Sequence, residues 1–314
     1  MTAVSDPVPR PGHVHQGGFY SSDEQFRALV MPFLERGLIR GEPVVIAYDP
    51  RRAGLLRDWL GEPPGALYVD DLYRCPAAAI ATYRKLFARL VGEGAARIRI
   101  AGDVPHAHDR ARYPGWDRYE SAVNVVWDEF PVLGRCLYDA TATAPEVADV
   151  VERTHPYLVT GGDDLTANPR YEEPGTFEGL APVPDPLEAR EPLVELADPS
   201  AASARAAVRE IAAAHVAERI VNDLVLAVSE ATSNALLHGE PPLLVRIWAR
   251  PDRVVVHVRD RGPGPENRLA GLVPAIGTIT GSGLGLWLAH QLDLDVALLR
   301  GTDGFTVRVC GGSR

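Results

Sequence analysis

The sequence predicts two domains in series. The first is an α/β domain with a mostly parallel sheet and helices on both faces; the second is an α+β domain of mostly antiparallel strands. Three observations predict this. The chain has 314 residues, about twice the length of a common domain. Its first half alternates short apolar runs with helical patterns, which is the order of βα units. Beyond residue 200, helical patterns come first and the strands cluster around turns.

Taken in order, Pro43–Tyr48 (PVVIAY) reads as a buried strand and Arg52–Leu60 as a short helix. Ala66–Val69 is a strand, Ala77–Val91 a helix and Arg97–Ala101 a strand. Tyr119–Phe130 is a helix, Val132–Tyr138 a strand and Pro145–His155 a last helix. Thr160 to Pro199 then carries GGDD, NPR, EEPG, PVPDP and EP. Such density of Pro, Gly and acid predicts a linker with little structure of its own, over 162–199, with the boundary near Pro182–Pro192. The domains are thus expected at 13–161 and 200–314. In the second, Ala201–Ala214 and Asn222–Leu237 read as helices. Leu243–Ala249 and Val254–Asp260 form a hairpin turning at Pro251–Asp252. A Gly-rich loop leads to a helix at Leu284–Leu292, and Val296–Leu299 and Phe305–Val309 are the closing strands.

Composition excludes several function classes. Hydrophobic residues make up 46% and charged residues 24%, the balance of a soluble globular chain. No apolar run reaches the length of a membrane span, and Met1–Gly12 lacks the apolar core of a secretory signal. The net charge is −10: residues 1–185 hold 19 basic and 27 acidic groups (−8), the rest 13 and 15 (−2). With no basic block, direct nucleic-acid binding is not expected. Lys85 is the only lysine, so a G-x-x-x-x-G-K phosphate loop is excluded. Cys75, Cys136 and Cys310 lie far apart and match no metal spacing, and a reduced cytoplasm is the expected location.

Three motifs in the second domain carry chemistry. In E-A-T-S-N-A-L-L-H-G (Glu230–Gly239), Leu224, Val228, Ala231 and Ala235 form a core stripe of the helix. Glu230, Asn234 and His238, at i, i+4 and i+8, line a polar edge beside it. Asn is a poor helix former, but its oxygen suits Mg²⁺; Glu230 suits a general base. A purely structural edge fits the same residues. Next, D-R-G-P-G (Asp260–Gly264) follows a strand. Its carboxylate can accept from an exocyclic amine such as adenine N6, and Gly262 and Gly264 let the backbone pass close to a flat base. A plain turn fits that motif alone. Third, G-S-G-L-G-L (Gly281–Leu286) opens a helix, whose N-terminus attracts phosphate.

Together, and in this order, these motifs resemble the N, G1 and G2 boxes of the GHKL (Bergerat-fold) ATPase superfamily, over about Ala201–Val309. The resemblance implies ATP and Mg²⁺ as cofactors, Asn234 as the metal ligand, Glu230 as the catalytic acid/base and Asp260 as the adenine reader. Gly262, Gly264, Gly281, Gly283, Leu284 and Gly285 would line the lid and phosphate loop, with His238 beside them. Thr306, on the closing strand, would help read adenine through water. The short segment between Gly264 and Gly281 and the stretch S-A-A-S-A-R-A-A-V-R-E-I resemble the anti-sigma regulatory factor serine kinases. That branch implies a sigma factor or a small anti-sigma antagonist as partner, and it allows a homodimer. A non-catalytic sigma-binding module is one alternative. A histidine kinase is another, with His215 as phosphoacceptor, although A-H-V-A-E-R lacks the usual His-box surroundings.

In the first domain, the pairs His13/His15 and His106/His108 would suit a metal if they lay on strands but read as solvated loop histidines, and Asp103 and Asp139, at strand ends where open α/β sheets bind ligands, read as turn aspartates. H-V-H-Q-G-G-F-Y (13–20), P-F-L-E-R-G-L-I-R-G-E (32–42), R-Y-E-S-A-V-N (118–124), C-L-Y-D (136–139) and H-P (155–156) resemble the MEDS sensory domain, over His13–Gly161. That domain is associated with sensing small, hydrocarbon-like molecules in transcriptional regulators. The resemblance implies a ligand pocket, with His15, Tyr20, Tyr119, Glu120, Asn124, Tyr138, Asp139 and His155 as candidates to line it.

Overall fold

The computed structural model describes residues 12–69, 75–104, 107–109, 113, 115–161, 164–272, 284–292 and 294–313. The chain forms two compact units, residues 1–74 with 78–180 and residues 75–77 with 181–314.

The first unit opens with a strand and helix that the sequence reading left out: β1 (Val14–Tyr20) and α1 (Asp23–Ile39). Ser22 caps α1 by accepting from Gln25 N–H, with Asp23 and Glu24 favouring the positive end of the helix. Next come β2 (Val44–Ala47), α2 (Pro50–Leu60), β3 (Ala66–Tyr68), α3 (Pro76–Gly92) and β4 (Ile98–Gly102). Then follow α4 (Trp116–Val126), β5 (Val132–Asp139), α5 (Pro145–Thr154), β6 (Tyr157–Gly161) and β7 (Asp164–Ala167). The sheet runs β3-β2-β4-β5-β1-β6-β7, parallel throughout except for the antiparallel β6–β7 edge.

Strand alternation sorts the two faces. Val14 and Tyr20 of β1 and Leu133 and Leu137 of β5 join Phe26, Val30, Phe33 and Leu34 of α1 in one core. Arg135 lies on that face too, 2% exposed; it donates to Gln16 Oε1 (3.0 Å) and to the Leu29 carbonyl (2.7 Å). The other face carries His15, Gly17, Cys136 and Tyr138 beneath α4.

The second unit holds β8 (Val194–Ala197), α6 (Ala201–Ala213), α7 (Glu218–His238), β9 (Leu244–Arg250), β10 (Arg253–Asp260), α8 (Leu284–Gln291), β11 (Asp295–Gly301) and β12 (Gly304–Gly312). Its sheet, β11-β12-β10-β9-β8, is antiparallel throughout. Val254, Val256 and Val258 of β10 and Phe305, Val307 and Val309 of β12 pack with Leu224, Val228 and Ala231 of α7. The predicted core stripe of that helix is therefore the one it buries.

The expectation of an unstructured linker over 162–199 is corrected at both ends. Asp164–Ala167 is an edge strand of the first sheet, and Val194–Ala197 extends the second. Between them a 3₁₀ turn, Pro186–Ala189, is closed by a capping box of Asp185 and Glu188. It covers the sheet face away from the helices. Leu187 packs there on Trp248, Val255 and Cys310. Arg253, 3% exposed, donates to Asp185 Oδ2 at 3.0 Å, and Arg308 to Glu188 Oε1 at 2.9 Å. Prolines and acids that look like a linker in sequence cap a helical turn and pair two buried arginines. Among the described residues no helix is long and apolar enough to cross a membrane.

Candidate functional site

In the second unit, α7 positions the predicted polar edge. Glu230 and Asn234 are half-buried, and His238, its last residue, is exposed. At 1.5 Å rise per residue, Glu230 and Asn234 stand about 6 Å apart along the axis. Glu230 lies against the first turn of α8: a methyl group at Gly285 would overlap its carboxylate. The position needs glycine because the two helices meet there, and it sets an acid at the positive end of α8.

Asp260 stands where β10 ends, 5% exposed. Its Oδ1 accepts from Gly262 N–H at 2.7 Å and from Glu240 N–H at 3.3 Å. Gly239, capping α7, lies so close that a Cβ would come within 2.5 Å of the Asp260 carboxyl carbon, and one at Gly262 within 2.8 Å of Oδ1. Gly264 has φ +72°, and a side chain there would run into the Phe305 ring. The edge of α7 thus runs from the turn opening α8, at Glu230, to the strand-end carboxylate, at Gly239, a span of about 13 Å.

One predicted member does not belong. Thr306 pairs with Arg259, whereas Asp260 pairs with Phe305. Facing residues of an antiparallel pair share a face and neighbours alternate. Thr306 therefore points away from Asp260, and Phe305 is the residue beside it. The alternation Phe305–Val307–Val309 carried that signal. Leu284 begins α8. Gly281 and Gly283 lie outside the described residues. His215 is in the turn after α6. Its Nδ1 is 2.8 Å from the Ile211 carbonyl, and its own carbonyl accepts from Asp252 N–H. Asp252 lies just before β10, so eight residues of strand, roughly 25 Å, separate it from Asp260.

Among the described residues of the first unit, two polar clusters stand out, and the histidines are not all solvated. His15 is in β1 and 1% exposed, not in a solvated loop. His106 lies outside the described residues; His108 is exposed. Five candidates, His15, Glu120, Asn124, Tyr138 and His155, come together with Cys136 between α4 and the sheet. Tyr138 Oη donates to Glu120 Oε1 at 2.7 Å, and the His15 and His155 Nε2 atoms each lie 3.6 Å from Glu120 Oε2. Burial raises the Glu120 carboxyl to about 7, against the pull of the Tyr138 hydrogen bond, and lowers His155 to about 4. Tyr119 is buried at the edge of this group, its ring packed on Trp116 and Trp127.

Tyr20 and Asp139 belong to the second cluster, at the carboxyl ends of the parallel strands, where open α/β sheets bind ligands. Arg52 centres it, donating to the Tyr20 hydroxyl, to Asp49 Oδ2 (2.5 Å) and to Asp139 Oδ2 (2.9 Å). Asp103, read from sequence as a turn residue, has a buried Oδ1 with no hydrogen-bond partner. Burial pushes its carboxyl up to about 7, with Arg52 opposing. Asp139 keeps a turn role as well, accepting from Thr141 N–H at 2.9 Å.

Comparison with known proteins follows the same division. Residues 14–156 match the family model described as MEDS: MEthanogen/methylotroph, DcmR Sensory domain. Residues 195–310 match the model described as Histidine kinase-like ATPase domain. No curated protein matches. Among solved structures, the histidine kinase domain from the Erythrobacter litoralis EL346 blue-light activated histidine kinase is similar at 20% identity and a TM-score of 0.23. The match covers 36% of this chain and 61% of that chain, less than two thirds of its length, and carries no argument about activity. The chain joins a MEDS sensory domain, residues 14–156, to a histidine kinase-like ATPase domain, residues 195–310.

Proposed function

We propose that the second domain is a Mg·ATP-dependent serine/threonine kinase of the anti-sigma type, acting on a small regulatory protein under control of the first. The observation that carries this is the edge of α7. It sets Glu230 beside the turn opening α8 and brings its other end against Asp260. The residues present fit the nucleotide. Gly285 and Gly262 stand where side chains would overlap Glu230 and Asp260, so both approaches are kept open by glycine. With Oδ1 of Asp260 held by two backbone N–H groups, Oδ2 is left for an exocyclic amine. Asn234 would hold the metal. Bound Mg·ATP supplies the phosphoryl group and, through the metal, charge neutralisation. Glu230 orients the attacking hydroxyl and takes its proton.

The placement of His215 favours this over a histidine kinase. Three residues ahead of α7, whose Glu230 lies roughly 18 Å along the helix, and with Nδ1 on the Ile211 carbonyl, it is poorly sited to receive phosphate within its own chain. The partner class, a small anti-sigma antagonist or a sigma factor, follows from the sequence resemblance, and the cytoplasmic setting from the three widely spaced cysteines. The test is phosphotransfer from labelled ATP to proteins captured by the full-length chain from native lysate. An acid-stable phosphoprotein is expected, and Glu230→Gln should reduce its formation by roughly 10²–10⁴. Acid-labile label on the chain itself, lost in His215→Gln, would instead make it a histidine kinase.

A further inference from the structure

The cluster beneath α4 has a property that its sensor-pocket reading leaves unused. His15 comes from β1, Glu120 from α4, Cys136 from β5 and His155 from the turn after α5. One ligand atom from each lies within 4.8 Å of every other. The Cys136 Sγ to His15 Nε2 separation is 3.4 Å, and both histidine Nε2 atoms are 3.6 Å from Glu120 Oε2. Four ligands at 2.0–2.3 Å from a tetrahedral ion are spaced by about 3.3–3.7 Å.

The hydrogen bonds around the cluster orient these atoms inward. The His155 Nδ1–H donates to the Val151 carbonyl at 2.7 Å, which leaves its Nε2 as a bare lone pair. Asn124 donates from its amide nitrogen to the carbonyls of Glu120, Ser121 and Thr154. Its Oδ1 must therefore accept, here from His15 Nδ1–H at 3.2 Å, which leaves His15 Nε2 as an acceptor facing the Cys136 thiol at 3.4 Å. Tyr138 holds Glu120 Oε1 and turns Oε2 toward the same centre. Glu120 Oε2 and His155 Nε2 are buried without a hydrogen-bond partner. Gly17 is required by the same arrangement, because a Cβ there would come within 2.8 Å of the His155 ring. Outer hydrogen bonds of this kind fix the tautomer and aim of metal ligands.

Without an ion, unpaired lone pairs on the His155 imidazole and the Glu120 carboxyl face one another in a dry interior, with His15 Nε2 met only by the weakly donating Cys136 thiol, an expensive arrangement. We infer that the first domain binds one zinc-class divalent transition-metal ion through His15, Glu120, Cys136 and His155. Two imidazoles, a thiolate and a carboxylate form a borderline-soft donor set that suits zinc and excludes Mg²⁺ and Ca²⁺, which take oxygen ligands. The thiolate and carboxylate together balance a charge of +2, so the loaded site is neutral in its buried setting. Loading exchanges the Cys136 thiol proton and any proton on Glu120 for the ion, releasing up to two protons. Four ligands from four elements close the site, so it is of the structural kind. The ion ties β1, α4, β5 and the turn after α5 together.

The test uses full-length protein purified without a histidine tag, stripped with chelator and titrated with Co²⁺. We expect one equivalent per chain, visible bands of tetrahedral intensity and a near-ultraviolet thiolate-to-cobalt charge-transfer band, all bleached by Zn²⁺. Cys136→Ser should abolish the charge-transfer band, Glu120→Gln should weaken binding tenfold or more, and Cys310→Ser should leave both unchanged. Should Cys136→Ser fail to fold, X-ray absorption of the zinc-loaded wild type decides, with one sulfur and three lighter ligands expected. No thiolate band in the wild type, a band surviving Cys136→Ser, or a zinc shell without sulfur would overturn the site.

Discussion

Leu187→Ala tests whether the segment ahead of β8 belongs to the ATPase-like domain. Leu187 is 5% exposed and packs on Trp248 (6%), Val255 (0%) and Cys310 (2%). Truncating a buried leucine costs about 2–5 kcal/mol. A 3₁₀ turn lying on the outside of a sheet can settle into part of the space, which places the loss near 2–3 kcal/mol. Amide hydrogen exchange resolved by peptide reads this domain separately from the other. Protection across β9 and β10 should then fall roughly 30- to 150-fold, since about 1.4 kcal/mol is a factor of ten. Strands of the first domain should be unaffected. If β9 and β10 keep their protection within threefold, the 181–190 segment is a loose strap, and the burial argument for it fails.

The same segment gives a pH dependence. Burial raises the Glu188 carboxyl, but its hydrogen bonds to His257 and to Asp185 N–H, with Arg308 nearby, outweigh that and bring it down to about 2. A carboxyl depressed on folding stabilises fully above its ordinary value near 4.5 and loses that contribution as pH falls toward 2. Wild type should therefore lose more stability than Glu188→Gln over that window in acid titrations, by about 1–2 kcal/mol once solvent screening is counted. Gly264→Ala should cost about 1–2 kcal/mol from left-handed backbone alone, more with the displaced Phe305 ring, and lower the thermal midpoint; an unchanged midpoint would mean the turn rearranges freely. Gly285→Val should push the Glu230 carboxylate aside and impair phosphotransfer more than stability, which paired kinetics and melting would separate.

Much of this was legible in the chain. Alternation of PVVIAY-like runs with helical ones announces the parallel sheet, because strands buried on both faces are continuous in apolar residues. The core stripe Leu224–Val228–Ala231 and its polar edge followed from helical periodicity alone. What escaped reading has physical causes. β1 contains two glycines and two polar residues, Gln16 and His15, that are buried by pairing across the sheet, so its composition hides its burial. The 181–190 segment looks like a linker because its function is to cap and pair, using the proline and acid common in linkers. Thr306 was assigned on its strand alone, and one position of parity moved it to the wrong face. The His–Glu–Cys–His cluster draws each member from a different element, up to 140 residues apart between His15 and His155, and no sequence spacing records a meeting made by the fold. The only local hint was the His13-x-His15 pair, whose second member lies on β1.

On the proposed function, the edge of α7 and the end of β10 form one nucleotide site. Calorimetric titration of Mg·ATP into the full-length chain and into two variants tests it most directly. Wild type should bind with metal dependence, Asn234→Ala should lose the advantage conferred by Mg²⁺, and Asp260→Ala should lose the preference for ATP over GTP along with most of its affinity. Both variants binding Mg·ATP as tightly and as selectively as wild type would contradict it.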